Sequence, residues 1–311
     1  MKIGRSTAVT DTGRRRLRNE DAYVYEPPLF AIADGMGGAK AGEVAAGIAA
    51  AALKDGRRTV AGEESLDAII SEANRLVWER SVADPSTAGM GTTVTAAFVD
   101  PHAEHVVFGQ VGDSRAYRLR GDALEQVTTD HSLVAELVRS GVLTPEEAER
   151  HPQRSAITRA VGTERAIDAD VFTMLVEPGD LFLLCSDGLT DMLSKNEIAE
   201  TIIAAERDPD AAARALVAAA NAHGGEDNIT VVLFELVEGE PEPEPEPEPE
   251  QEQEQAPDAA ASAAATELAS EDTQPGVRRH GAGPGGRIAA LAFIALVIVV
   301  GVIALYWGIT R

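Results

Sequence analysis

Apolar residues follow two rhythms along this chain of 311 residues. Runs rich in Val, Ile, Leu, Phe and Ala recur at 29–33, 92–99, 105–111, 115–120, 124–128, 171–176, 181–185 and 229–236. Their length and β-branched or aromatic content predict strands. Arg120-Gly121-Asp122 supplies a hairpin turn between two of them. A helical period instead fits 42–54, 66–82, 196–205 and 211–223. The strands come largely in succession and do not alternate strictly with helices. That order predicts an α+β fold of antiparallel sheets with segregated helices.

After residue 237 both rhythms stop. Residues 238–287 open with Glu-Pro repeats and continue through Gln/Glu, Ala/Ser and Gly/Pro-rich stretches. Proline at every second position removes backbone donors and like charges repel, so this segment is expected to be a disordered, extended tether. Residues 288–309, IAALAFIALVIVVGVIALYWGI, are 22 residues without a charge. That length is enough to cross a hydrocarbon core of roughly 30 Å as a helix. Arg278, Arg279 and Arg287 precede the segment and Arg311 follows it. The asymmetry predicts a single-pass anchor in the cell membrane with the region before it in the cytoplasm. The first residues, MKIGRSTAVTDTG, lack the apolar run of a signal peptide. The expected organisation is therefore a folded domain at 1–237, a linker at 238–287 and a transmembrane helix at 288–309.

Charge narrows the function. The chain carries 27 Lys and Arg against 51 Asp and Glu, which excludes a nucleic-acid binder relying on a basic surface. Residues 1–237 hold 38 acidic and 23 basic residues, a net of −15. The lone cysteine, Cys185, rules out an internal disulfide framework and a cysteine-based zinc cluster.

The chemistry is carried by aspartates at the ends of apolar runs. Residues 29–33 lead into Asp34-Gly35, 105–111 into Gly112-Asp113, and 181–185 into Ser186-Asp187-Gly188. Asp227 stands just before 229–236, and Asp21 just before a Tyr/Val stretch. A strand end holds a carboxylate rigidly and a following glycine lets the backbone turn tightly. Converging carboxylates repel unless a cation lies between them. Hard divalent ions with oxygen ligands satisfy that need, and no His- or Cys-rich pattern favours zinc.

The ordered motifs TDTGRRRLRNED (10–21), DGMGG (34–38), GTT (91–93), GDSR (112–115), DHS (130–132), HPQRS (151–155), SDG (186–188) and EDNIT (226–230) carry a family resemblance. Together they resemble the bacterial metal-dependent serine/threonine protein phosphatases of the protein phosphatase 2C superfamily, over about residues 5–237. The resemblance implies a four-layer α-β-β-α sandwich of two antiparallel sheets flanked by helices. It implies two Mn2+ or Mg2+ ions per domain. Asp34 would bridge them, the Gly35 carbonyl would bind the second, and Asp187 and Asp227 would complete the first. Asp21 would act through metal-bound water. Asp113 matches a position that, with Asp187, can hold a third metal, and Ser155 falls where some members add a ligand near it. Arg16 matches the arginine that grips the substrate phosphate, a role suited to a guanidinium fork. The implied partners are phosphorylated proteins, among them membrane serine/threonine kinases and their substrates.

One position departs from the eukaryotic pattern. Met36 stands where those members usually carry a histidine that can serve as general acid, and methionine cannot donate a proton. His131 and His151, around a segment (132–149) resembling the family's mobile flap, are the substitutes to weigh against purely structural roles. Cys185 lies inside an apolar run and reads as core, which excludes a cysteine phosphatase, and no P-loop motif is present. The competing reading is a catalytically silent, membrane-tethered module that binds phosphoproteins. A silent relative is expected to have lost one or more of Asp21, Asp34, Asp187 and Asp227, and all are present.

Overall fold

The computed structural model describes residues 1–36 and 41–239. The expected linker beyond Gly239, the expected span at 288–309 and the end of the DGMGG motif lie outside the described residues. Among the described residues no helix is long and apolar enough to cross a membrane.

The chain runs β1 (Lys2–Asp11), β2 (Ala22–Glu26), β3 (Leu29–Ala33), β4 (Gly35–Met36), α1 (Gly42–Gly56), α2 (Glu63–Ala83), β5 (Gly91–Thr92) and β6 (Val94–Val99). It continues through β7 (His105–Val111), β8 (Arg115–Arg120), β9 (Ala123–Gln126), α3 (Leu133–Arg139), α4 (Pro145–Glu149) and β10 (Asp170–Leu175). The last elements are β11 (Leu181–Cys185), α5 (Asp187–Thr190), α6 (Lys195–Ala204), α7 (Pro209–Ala222) and β12 (Ile229–Val237). One five-stranded sheet has the order β1-β12-β11-β8-β9, and the other β10-β7-β6-β3-β2. Every pairing is antiparallel.

The central strands are apolar at every position because both of their faces are covered. In β3, Leu29, Ala31 and Ala33 join the core under α1 and α2, while Phe30 and Ile32 point between the sheets. In β12, Val231 and Leu233 pack with α6 and α7, and Val232, Phe234 and Leu236 turn to the sheet interface. Cys185 belongs to the α6/α7 core, as its place in the sequence predicts. Phe30 stacks on Phe234 at 4.4 Å and Phe182 on Phe234 at 5.2 Å, and Phe108 lies 5.7 Å from Phe182. These rings tie the two sheets together across their inner faces. The result is the expected sandwich with helices on both outer faces.

Three features differ from the sequence expectation. β1 and β2 are full strands, although their residues mix polar and apolar types. The run 92–99 breaks at Thr93: Gly91 and Thr92 pair with Met36 and Gly35, and only Val94–Val99 enters the large sheet. Between β9 and β10 lie two short helices, α3 and α4, started by the side chains of Ser132 and Thr144, which accept from Ala135 and Glu147 amides.

Candidate active site

Strand register brings the aspartates to one end of the sandwich. Ala22 pairs with Ala33, which sets Asp21 beside Asp34. Cys185 pairs with Val231, and the Ser186 amide donates to the Thr230 carbonyl at 3.0 Å, so Asp187 stands beside the segment leading into β12. Val94 pairs with Val111, which places the Gly112–Ser114 turn next to Thr93. Residues far apart in sequence thus share one rim.

Each carboxylate is held by a defined set of partners. The Asp34 amide donates to Thr93 Oγ1 at 3.0 Å, and the Asp34 carbonyl accepts from Thr93 N and Thr92 Oγ1. Thr93 Oγ1 also meets Ser114 Oγ at 2.8 Å, linking the Asp34 turn to the Asp113 turn through buried hydroxyls. Asp21 Oδ2 accepts from Thr230 Oγ1 at 2.6 Å and from Ser186 Oγ at 2.9 Å. Asp227 accepts from Arg16 at 2.6 Å and from the Asn228 amide at 2.8 Å. Gly35 is required by packing: a Cβ there would lie 2.3 Å from the Gly42 carbonyl oxygen and 2.5 Å from that of Glu20. A Cβ on Gly188 would meet the Asn228 carbonyl oxygen at 2.1 Å, so glycine lets α5 close against β12.

The electrostatics mark these groups as a set. Loss of hydration raises the Asp34 carboxyl well above the usual range, and Asp187, Asp21 and Asp113 push it further. Asp187 is raised in the same way, by burial first and then by Asp113 and Asp227. Burial lifts Asp21 to about 6, against the opposing hydrogen bonds from Thr230 and Ser186. Burial and Asp130 lift Asp113 to about 6. The Arg16 guanidinium is raised: burial opposes its charge, but Asp227, Glu20 and Asp187 outweigh that.

These residues fit a divalent cation. Asp21 Oδ1 and Asp113 Oδ1 are buried without a hydrogen-bond partner. Unpaired buried carboxylate oxygens are costly, and all-oxygen donors suit Mn2+ or Mg2+. Among the described residues no three acidic, imidazole or thiol side chains already close into a ligand shell. The carboxylates lie close enough to raise one another's pKa.

Some sequence-predicted residues stand apart. Ser155 is exposed on the turn after α4. His131 is buried, with Nδ1 accepting from the Gly112 amide at 3.3 Å and Nε2 3.2 Å from Asp170 Oδ2. Burial lowers its pKa, and its neighbours make it a brace beneath the Asp113 turn. His151 Nδ1 accepts from the Gln153 amide at 3.2 Å. Other residues join the site without having been singled out. Asp191 lies one helical turn after Asp187, its amide donating to the Asp187 carbonyl at 2.7 Å, and burial raises its carboxyl. The four-residue spacing after Asp187 was the available signal. Buried Asn228 donates to the carbonyls of Thr12 and Arg18 and accepts from the Glu20 amide, clamping the arginine loop to the start of β12.

The raised carboxyls make a prediction about metal removal. Their folded pKa values lie above the unfolded ones, so the folded protein holds protons that the unfolded chain has released. The metal-free protein therefore loses stability as pH rises from about 4 through 6, where Asp21 and Asp113 titrate. Cations bind the ionised carboxylates, so their stabilisation grows over the same range. In thermal melts with EDTA, the midpoint is expected to fall between pH 5 and pH 7, and added Mn2+ to raise it more at pH 7. A Mn2+ shift that is larger at pH 5 would contradict the assignment.

The protein phosphatase 2C family profile matches residues 12–224. The serine/threonine phosphatase stp of Listeria monocytogenes is 40% identical over 238 residues, spanning 73% of this chain and 93% of that protein. The crystal structure of the Mycobacterium tuberculosis serine/threonine phosphatase PstP/Ppp superposes with a TM-score of 0.71 at 37% identity, over 76% of this chain and 100% of that one. The catalytic domain of PstP in complex with two manganese ions superposes with a TM-score of 0.68 at 35% identity, over 76% of this chain and 99% of that one.

Proposed function

The chain belongs to the protein phosphatase 2C family, and on that premise we propose how its own residues perform the family's reaction and where in the cell they do so. The chain is a metal-dependent hydrolase that dephosphorylates phosphoproteins, with Mn2+ or Mg2+ as cofactor. The observation that carries the residue assignment is the row of raised carboxylates from separate segments, with Arg16 alongside.

Asp34, with its backbone fixed by Thr92 and Thr93, would hold the cations together with the Gly35 carbonyl. Asp187 and Asp227 would complete the donor set. Asp21, oriented by Ser186 and Thr230, would act through a bound water. Bound Mn2+ or Mg2+ supplies an acidified water as nucleophile and positive charge against the phosphoryl oxygens. Arg16 rests on Asp227 and swings its fork onto two phosphate oxygens of phosphoserine or phosphothreonine. Asp113, with Asp187, would hold a further cation, and Ser155 would join them only if its exposed turn folded inward. Met36 cannot donate a proton and His131 is enclosed, so the leaving oxygen would draw its proton from water near Asp113.

The tail gives the reaction its place. Residues 288–309 anchor the chain in the cell membrane, 238–287 tether it, and the phosphatase domain at 1–237 works on the cytoplasmic side against membrane serine/threonine kinases and their substrates. Support comes from the uncharged 22-residue segment and the arginines before it. A 50-residue flexible tether has a reach on the order of 40 Å, and Glu-Pro stiffness extends it. Residues 1–237 alone should hydrolyse p-nitrophenyl phosphate as fast as the full chain. In cells that truncation should dephosphorylate membrane kinases less efficiently than soluble proteins. Loss of turnover on the small substrate would place the tail inside the catalytic fold and defeat the modular reading.

A further inference from the structure

The arginine loop does more than present Arg16. Beside it lies a cleft of about 790 Å³, lined by Arg15, Arg16, Leu17, Arg18 and Glu20 of the loop, by Glu43 of α1 and by Arg80 of α2. Arg16 lines this cleft and its guanidinium donates to Asp227, which links the cleft to the carboxylates. Arg18 pairs with Glu43 at 3.0 Å and Arg80 with Asp84 at 3.1 Å, whereas Arg15 has no ion-pair partner among the described residues. Leu17 is fully exposed at the crest of the loop.

The loop is held firmly. Arg14 and Arg15 donate their amides to the Gly225 carbonyl at 2.7 and 3.2 Å. Asn228 donates to Thr12 and Arg18 carbonyls at 3.0 and 2.9 Å and accepts from the Glu20 amide at 2.8 Å. These bonds fix the backbone and leave the Arg15 and Leu17 side chains outward. A single exposed leucine is ordinary on a protein surface. This one stands on the lip of a basic cleft that includes the phosphate-gripping arginine, in a domain whose net charge is −15. Of the four arginines in five residues, Arg15, Arg16 and Arg18 line this cleft.

We propose that this cleft binds the polypeptide flanking the phosphorylated residue, with Arg15 and Arg80 selecting acidic side chains and Leu17 covering an apolar one. The inference rests on the phosphatase reading of the carboxylate row and adds the substrate class: phosphoproteins whose phosphorylated residue lies in an acidic segment. Concavity and the link to the carboxylates favour a peptide over a lipid surface, which the net negative domain repels.

The test uses the full-length chain and three phosphothreonine peptides that differ only in having Glu, Ala or Lys at the flanking positions. At low salt kcat/KM is expected to be about tenfold higher for the Glu peptide than for the Lys peptide. High salt should erase the difference. Combining Arg15→Glu with Arg80→Glu should reverse the order while leaving p-nitrophenyl phosphate hydrolysis unchanged. Equal rates on the three peptides by a wild-type protein that turns over p-nitrophenyl phosphate would overturn the cleft and leave the phosphatase intact. A preference that survives the double charge reversal would also overturn it. A wild-type protein inactive on every substrate would instead remove the phosphatase reading beneath it.

Discussion

Asp34→Asn and Asp187→Asn will each lower manganese-dependent turnover of p-nitrophenyl phosphate by on the order of 10³-fold. Residues that merely orient ligands typically cost about 10–100-fold when replaced, and a direct bridging carboxylate should cost more. The structure adds a second, opposite expectation. Burial and the Asp187, Asp21 and Asp113 charges hold Asp34 well above its normal pKa, so at neutral pH its ionised form works against folding. Asparagine has the same shape and no charge, and its amide can donate to the neighbouring carboxylates. The metal-free Asp34→Asn protein should therefore melt higher than metal-free wild type at pH 7, and gain less on adding Mn2+. Activity falls while intrinsic stability rises, as expected where a site is strained for its chemistry. Near-normal turnover in metal-replete buffer would sink the binuclear assignment.

Arg16→Ala is the second large effect. A charge-assisted fork on phosphate contributes about 1.5–3 kcal/mol, so KM should rise roughly 10- to 100-fold with a smaller change in kcat. Arg16→Lys should restore part of the loss, because lysine keeps the charge and loses the planar fork. The Arg16–Asp227 contact at 2.6 Å sharpens this. Removing Arg16 frees Asp227 for the cation, so Mn2+ affinity should hold or tighten while substrate affinity drops. Weakened Mn2+ binding in Arg16→Ala would show that the arginine supports the metal site and not the substrate. A defect in Arg14→Ala that is absent from Arg16→Ala would show that a different arginine grips the phosphate.

Much of the fold was legible because of where its strands lie. β3, β7, β11 and β12 are nearly all apolar since each has a sheet interface on one face and helices on the other. A run of that kind can be recognised without a partner, and the aspartates that end it follow directly. β1 and β2 were not legible. β2 is an edge strand with Tyr23 and Tyr25 partly exposed, and β1 pairs only with β12, so neither needs an apolar residue at every position. The helices α3 and α4 escaped notice because they are short, and α3 buries no residue.

The site divides along the same line. The chain by itself determined which residue types end the strands, that a cation must reconcile them, and that an arginine cluster precedes Asp21. Those are local facts of composition and spacing. Only the tertiary structure decided that Arg16 meets Asp227 across 211 positions, that Asn228 clamps the loop at Thr12, Arg18 and Glu20, and that Asp191 joins Asp187 on one rim. It also enclosed His131 between the Gly112 amide and Asp170. The physical reason is that hydrogen bonds and charge coupling depend on distances of a few ångströms. Strand register and helix docking set those distances, and no single segment of the sequence encodes them.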